Sequence, residues 1–427
     1  MTASNKRVGI DAMGFNGAQC YIDMVDLATA RDVDPAKFTV GIGQKQMSVA
    51  TPCEDTVSMA ALAGRKALEA FDIDPSEIGT LIIGTETGID HSKPASVYVH
   101  ELLGLPSNCR QFETKHACYG ATAGLTSAAD WILSGRARGR KALIIASDIA
   151  RYGIGTPGEP TQGAGAVAMV VSENPRLFEL DMTCIGDYST QVMDFWRPLY
   201  SKYAFADGHY SIDCYLEALT HSIADAQSVS DDHSRFSPGN LAACFYHVPF
   251  VKMARKAHTC FMEQHMSRTL DLKDATDKQI FTESYGEQVA PWLSVNAQVG
   301  NIYTGSLFLS MIDFISQNNP ELENREISLF SYGSGCGSSY ILGRVVEGAM
   351  NYAEAINPRE DLDKRVKLTI EEYEHIIALA EEIDMNEGLA PDPARWNLKG
   401  DIFYLGTNNH SRQYGPRSRR GKLQRAG

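Results

Sequence analysis

One cysteine stands where a thiol can become a nucleophile. In QFETKHACYGATAGLTSAADWILSG, residues 111–135, Cys118 falls between a short extended approach and a helix. Leu125, Ala128, Ala129, Ile132 and Leu133 recur at i, i+3, i+4, i+7 and i+8, which makes one apolar face, and Gly135 can end the helix. The helix is therefore read as buried, with the thiol at its N-terminus. Unpaired N–H groups and the positive end of the helix dipole there favour thiolate over thiol. Most single buried cysteines are core filler, so the reading depends on what else arrives at the same place.

Other chemistry-bearing residues sit at the ends of apolar strands. TLIIGTETGID delivers Glu86, KALIIASD ends in Asp148, and LAACFYHVPF ends in His247. Asn301 stands near the start of a second helix, GNIYTGSLFLSMIDFIS, and Ser334 lies in the turn SYGSG. Charged residues at the ends of buried strands face a site rather than the core. A cysteine, a histidine, carboxylates and amide or hydroxyl donors are the parts for covalent acyl transfer. In that chemistry the thiolate takes an acyl group from a thioester, hydrogen bonds hold a carbonyl oxygen, and a carboxylate moves protons. No metal is called for: HExxH and HxH are missing, and His258, Cys260 and His265 point in different directions on a helix.

The elements that carry these residues come in two similar series. Near-continuous apolar strands imply a sheet covered on both faces. Asp148 follows Cys118 by 30 residues and Ser334 follows Asn301 by 33, so the interval from central helix to next strand is kept. Two fused halves with their central helices face to face between two sheets are expected. The N-terminal half, 1–175, carries Glu86 and Cys118. A connecting segment, 176–240, holds DFWRP and a helix, and the C-terminal half, 241–410, carries His247 and Asn301. Thr369 and Glu372 form a capping box for IEEYEHIIALAEEI. Residues 411–427 are basic and rich in breakers, which reads as a disordered, solvated tail. The glycines at 41 and 43 belong to turn chemistry, since no GxGxxG or GK[ST] accompanies them.

The 427 residues carry a formal charge of −14, which argues against nucleic acid and against an anionic membrane surface. Nine scattered cysteines without a CxxC pair suggest no disulfide framework and fit a reducing cytoplasm. No signal-peptide core and no apolar run of membrane length is present, so a soluble chain is expected.

The strings GTETGIDHSKP, KHACYGATAGL, GEPTQGAGAVAM, DFWRP, YHVPFVKMARKA, GNIYTGSLFLS and SYGSG resemble, in order, those of the bacterial-type 3-hydroxy-3-methylglutaryl-CoA synthase family. The resemblance implies an α/β chain with a thiolase-like five-layered αβαβα fold built from two duplicated halves, working as a homodimer. It implies condensation of acetyl-CoA with acetoacetyl-CoA in the mevalonate pathway, with no cofactor, the CoA thioesters being substrates. Carried over by position, Cys118 receives the acetyl group, Glu86 is the general acid and base, and His247 orients the acetoacetyl thioester. Asn301 and Ser334 line the acyl site, Asp148 and Asp194 support it, Tyr152 lies near the acetylated cysteine, and Lys252 and Lys256 meet a CoA phosphate. An enolate formed on acetyl-Cys118 needs preorganised donors, expected from backbone N–H groups near the cysteine, and a Glu86 with a raised pKa.

Three alternatives stand beside this reading. One is the same condensation on acyl-carrier-protein thioesters, toward which FNGAQCYIDM and LGLPSNCRQFETK lean. GIGQKQMSV and RYGIGTPGEPTQGAGAVAM look CoA-dependent instead. A ketoacyl synthase would not need Glu86. A non-catalytic carrier-binding scaffold would be expected to have lost one of Glu86, Cys118 and His247.

Overall fold

A computed structural model describes residues 6–386 and 389–415. Among them, nine strands form one continuous sheet: β1 (Val8–Gly17), β2 (Ile78–Gly84), β3 (Arg110–Thr114), β4 (Lys141–Ile149), β5 (Ala164–Glu173), β6 (Phe178–Ser189), β7 (Leu241–Tyr246), β8 (Glu326–Gly333) and β9 (Gly337–Val345). Their spatial order is β7-β8-β9-β6-β1-β5-β4-β2-β3. Read outward from the middle, β1-β5-β4-β2 and β6-β9-β8-β7 make the same pairings. The first two contacts of each series are antiparallel and the last is parallel.

The duplication is thus visible in strand pairing, with two differences from expectation. The series are not separate sheets, because Gly9 and Ile10 of β1 pair antiparallel with Glu179 and Phe178 of β6. The stretch 176–240 is also more than a connector: it supplies β6 and a long helix, both integral to the second series.

The helices complete the layers: α1 (Thr56–Ala70), α2 (Gly120–Leu133), α3 (Gly208–Ser228), α4 (Val251–Met266), α5 (Gly305–Ser316) and α6 (Ile370–Met385). The outer helix α1 covers β1, β5 and β4, and α3 covers β6 and β9. The inner helices α2 and α5 lie between the two series. Every residue of α5 from Gly305 to Ile315 is buried, as expected for a helix with apolar neighbours all round. Across the middle layer Thr304 Oγ1 accepts from the Ala121 N–H at 2.8 Å, and Thr122 Oγ1 donates to Ser331 Oγ at 2.8 Å. The first bond sets the starts of α2 and α5 side by side, and the second ties α2 to β8.

Helix α6 has the expected capping box, with Tyr373 and Ile376 buried. The basic tail starts later than 411, because Ser411–Gly415 pairs with Phe403–Asn408. Arg412 and Tyr414 on that strand both donate to Asp55 Oδ2, at 2.7 and 2.6 Å. Residues 416–427 lie outside the described residues. No helix among the described residues is long and apolar enough to cross a membrane.

Candidate active site

Two glycines let the chemistry-bearing segments meet. A Cβ on Gly84, at the end of β2, would lie 2.4 Å from the Ala121 backbone N. One on Gly333, at the end of β8, would lie 2.5 Å from His116 O. Only bare backbone permits these approaches. They bring Glu86, two residues past β2, and Ser334, just past β8, to the loop that carries Cys118. Ala117, immediately before the cysteine, takes a left-handed φ of 39° to enter α2.

The result is one constellation. Cys118 Sγ lies 3.6 Å from Glu86 Oε1, and both groups are largely enclosed. Cys118, Tyr152, His247, Asn301 and Ser334 line a single cavity of about 470 Å³. Asn301 Oδ1 accepts from the Tyr303 N–H at 2.9 Å and from Ser306 Oγ at 3.1 Å, and its Nδ2 donates to Tyr152 Oη at 3.4 Å. His247 is held through its backbone: its N–H donates to Phe330 O, and its carbonyl accepts from Tyr215 Oη at 2.8 Å. Its Nδ1 is buried with no partner within the described residues, so a polar group on a ligand would satisfy it.

Asp148 and Asp194 act beneath this layer. Asp148 is fully buried, and its Oδ1 accepts from Thr85 Oγ1 and Thr87 Oγ1 at 2.8 Å and from the backbone N–H groups of Glu86 and Thr87 at 3.0 Å. One carboxylate oxygen therefore fixes the whole Glu86 turn. Asp194 Oδ2 accepts from Tyr332 Oη at 2.7 Å and Ser211 Oγ at 3.1 Å, and its Oδ1 accepts from the Gly335 N–H at 2.9 Å, which pins the Ser334 turn. Lys252 and Lys256 are on α4 outside the cavity lining, Lys252 half-buried and Lys256 exposed.

Electrostatics correct one expectation. Burial, with the negative charges of Glu86 and Asp148 next to it, pushes the Cys118 thiol well above its ordinary value. The resting group is therefore a thiol, not the thiolate expected at a helix N-terminus. Glu86 is pushed up to about 8, first by burial and then by Asp148, with Arg197 and the thiol hydrogen bond opposing. Asp148 is also raised by burial, against the hydrogen bonds of Thr87 and Thr85. Burial drives His247 down to about 3, so it is a neutral imidazole. A cysteine that keeps its proton needs a base at hand, and Glu86 is the group in reach.

Sequence reasoning missed Arg197. Its Nη2 stands 3.7 Å from Glu86 Oε2 and donates to the Glu86 carbonyl oxygen. The signal was present in DFWRP, where only the aspartate was weighed. Thr85 and Thr87, flanking Glu86, were missed as well, as was Tyr303, buried against Tyr152 and Phe195.

Residues 4–175 match the family described as hydroxymethylglutaryl-coenzyme A synthase N terminal, and residues 178–278 and 263–417 match its C-terminal counterpart. Hydroxymethylglutaryl-CoA synthase of Enterococcus faecalis is 37% identical over 95% of this chain and 99% of its own. The polyketide biosynthesis 3-hydroxy-3-methylglutaryl-ACP synthase PksG of Bacillus subtilis is 36% identical over 86% of this chain and 87% of its own. Among solved structures, MvaS in complex with 3-hydroxy-3-methylglutaryl coenzyme A superposes with a TM-score of 0.87 at 43% identity, covering 97% of this chain and 100% of that one. The curacin pathway HMG synthase with apo donor-ACP gives 0.87 at 32% identity, over 96% and 99%. The duplicated sheet and the cysteine–glutamate pair define an acyl-condensing enzyme of the thiolase superfamily. Within it, the chain belongs to the hydroxymethylglutaryl-CoA synthase family.

Proposed function

We propose that the protein condenses acetyl-CoA with acetoacetyl-CoA and water to give 3-hydroxy-3-methylglutaryl-CoA and CoA, through an acetyl-Cys118 intermediate. The observation that carries the proposal is the Glu86 carboxyl 3.6 Å from the thiol of Cys118, which lines one cavity with His247 and Asn301. In the first step Sγ attacks the acetyl carbonyl carbon while its proton passes to Glu86, and the departing CoA thiolate takes that proton away. In the second, the Glu86 carboxylate removes a proton from the acetyl methyl, and the enolate carbon attacks C3 of acetoacetyl-CoA. The alkoxide formed at C3 takes the proton back from Glu86. Water then cleaves the Cys118 thioester.

A carboxyl tuned near the working pH suits both proton removal and return. Neutral His247 donates a hydrogen bond to the acetoacetyl carbonyl, where charge develops. Burial and then Asp148 raise Glu86 while Arg197 restrains it, and together they set its basicity. The scheme uses side chains and thioesters alone. A cytoplasmic homodimer serving the mevalonate pathway is the setting that fits it, with Lys252 and Lys256 reached by the CoA phosphates outside the acyl cavity.

The second reading is a 3-hydroxy-3-methylglutaryl-ACP synthase, favoured by the similarity to PksG and to the curacin enzyme. One assay separates the two. Acetyl-dependent loss of the acetoacetyl thioester is followed with either acetoacetyl-CoA or an acetoacetyl carrier protein. Turnover of acetoacetyl-CoA with acetyl-CoA supports the first reading, and turnover on carrier protein alone replaces it with the second.

A further inference from the structure

A second cavity lies at the opposite end of α2 from Cys118. It measures about 260 Å³ and is lined by Arg110, Arg136, Arg138 and Arg140, with Gly79, Asn108 and Trp131. The strands β3, β2 and β4 are neighbours and run parallel, so Arg110, Gly79 and Arg140 gather at their common starting end. Arg136 and Arg138 come from the turn after α2. Helix α2 has 14 residues, which puts roughly 20 Å between this end and the catalytic thiol.

The cavity has a fitted floor. A Cβ on Gly79 would lie 2.7 Å from Trp131 Cη2 and 2.8 Å from Arg140 Nε, so the bare glycine lets both side chains lie on the strand start. Arg140 Nη1 is braced by Asn108 O at 3.2 Å, and Arg110 lies over the Phe112 ring.

The charge at this place is out of balance. No ion pair joins any of the four arginines to a carboxylate of the described residues, although the chain carries 53 acidic against 39 basic side chains. The neighbouring Lys141, by contrast, is paired with Asp11 and Glu77. The negative end of the α2 dipole offsets about half a charge out of four. Four guanidiniums round one cavity favour an anion there, and their planar forks match tetrahedral phosphate oxygens two at a time.

We propose that this cavity binds a small anion carrying two or more phosphate groups, at a site separate from the acyl cavity. The probe is inorganic pyrophosphate, titrated calorimetrically into the full-length protein and into an Arg136→Ala/Arg138→Ala variant. Both substituted residues are exposed, so the variant should fold and keep its condensation rate. The expected result is saturable binding of one pyrophosphate per chain, weakened about tenfold or more in the variant, and weakening in both as salt is raised. Equal affinity in the two proteins would place the bound anion elsewhere and overturn the proposal. So would the absence of saturable heat up to about 10 mM, a range that covers even weak sites. Citrate is titrated in parallel, and binding of citrate without pyrophosphate would overturn the phosphate assignment.

Discussion

The Glu86 carboxyl and the Cys118 thiol stand 3.6 Å apart in a pocket that raises the pKa of both. In the proposed scheme neither group acts alone: the thiol is too basic to ionise freely at neutral pH, and the carboxyl beside it would accept its proton during attack.

The pH dependence follows from Glu86. The scheme needs its carboxylate as base, and burial with Asp148 pushes it up to about 8. Condensation should therefore rise with pH through a limb well above the ordinary carboxylate value near 4.3. Asp148→Asn keeps an oxygen for the Thr85 and Thr87 bonds while removing the repelling charge, and should move the limb down by about one unit. Arg197→Gln removes the opposing cation and should move it up. Rate profiles of the three proteins check this, and shifts in the same direction would contradict it.

His247 should contribute no limb near 6.5, because burial holds it at about 3 and it stays neutral across the working range. His247→Ala should lower kcat/KM for the acetoacetyl acceptor by roughly 10²-fold or more, as expected for a lost oxyanion donor. Acetylation of Cys118 should survive. Stopped-flow acetylation and steady-state turnover, measured on one preparation, separate the two effects.

Gly84→Ala tests the backbone approach that joins β2 to α2. The added Cβ would meet Ala121 N at 2.4 Å, and overpacking against rigid backbone should cost about 1–3 kcal/mol. The variant should melt at a lower temperature and lose turnover, since the shift also separates Glu86 from Cys118. Glu101→Gln, on the exposed face of a helix, serves as a control with an unchanged melting point.

Much of this site was legible in the sequence because strand ends and helix starts announce themselves. Glu86, Asp148 and His247 could be placed at the ends of apolar runs, and Cys118 and Asn301 at helix starts. The kept interval between central helix and next strand pointed to the duplication that the strand pairings display. What was not legible depended on contacts distant in sequence. Arg197 reaches Glu86 across 111 positions, and no periodicity encodes that. The thiolate expectation failed for the same reason: the helix end is a local feature, while the burial and then the carboxylates that raise the thiol come from segments distant in sequence. The strand Ser411–Gly415 was hidden by its basic composition, since Asp55, its partner, lies 357 residues before Arg412.

The central claim is that Cys118 carries the acetyl group, and intact-protein mass after brief incubation with acetyl-CoA tests it most directly. The account predicts a gain of one acetyl group in the wild type, located by peptide mapping on Cys118 and lost when acetoacetyl-CoA is added. In Cys118→Ala no gain should be seen. An adduct that persists in Cys118→Ala, or a wild type that turns over acetoacetyl-CoA without ever holding acetyl, would contradict the account.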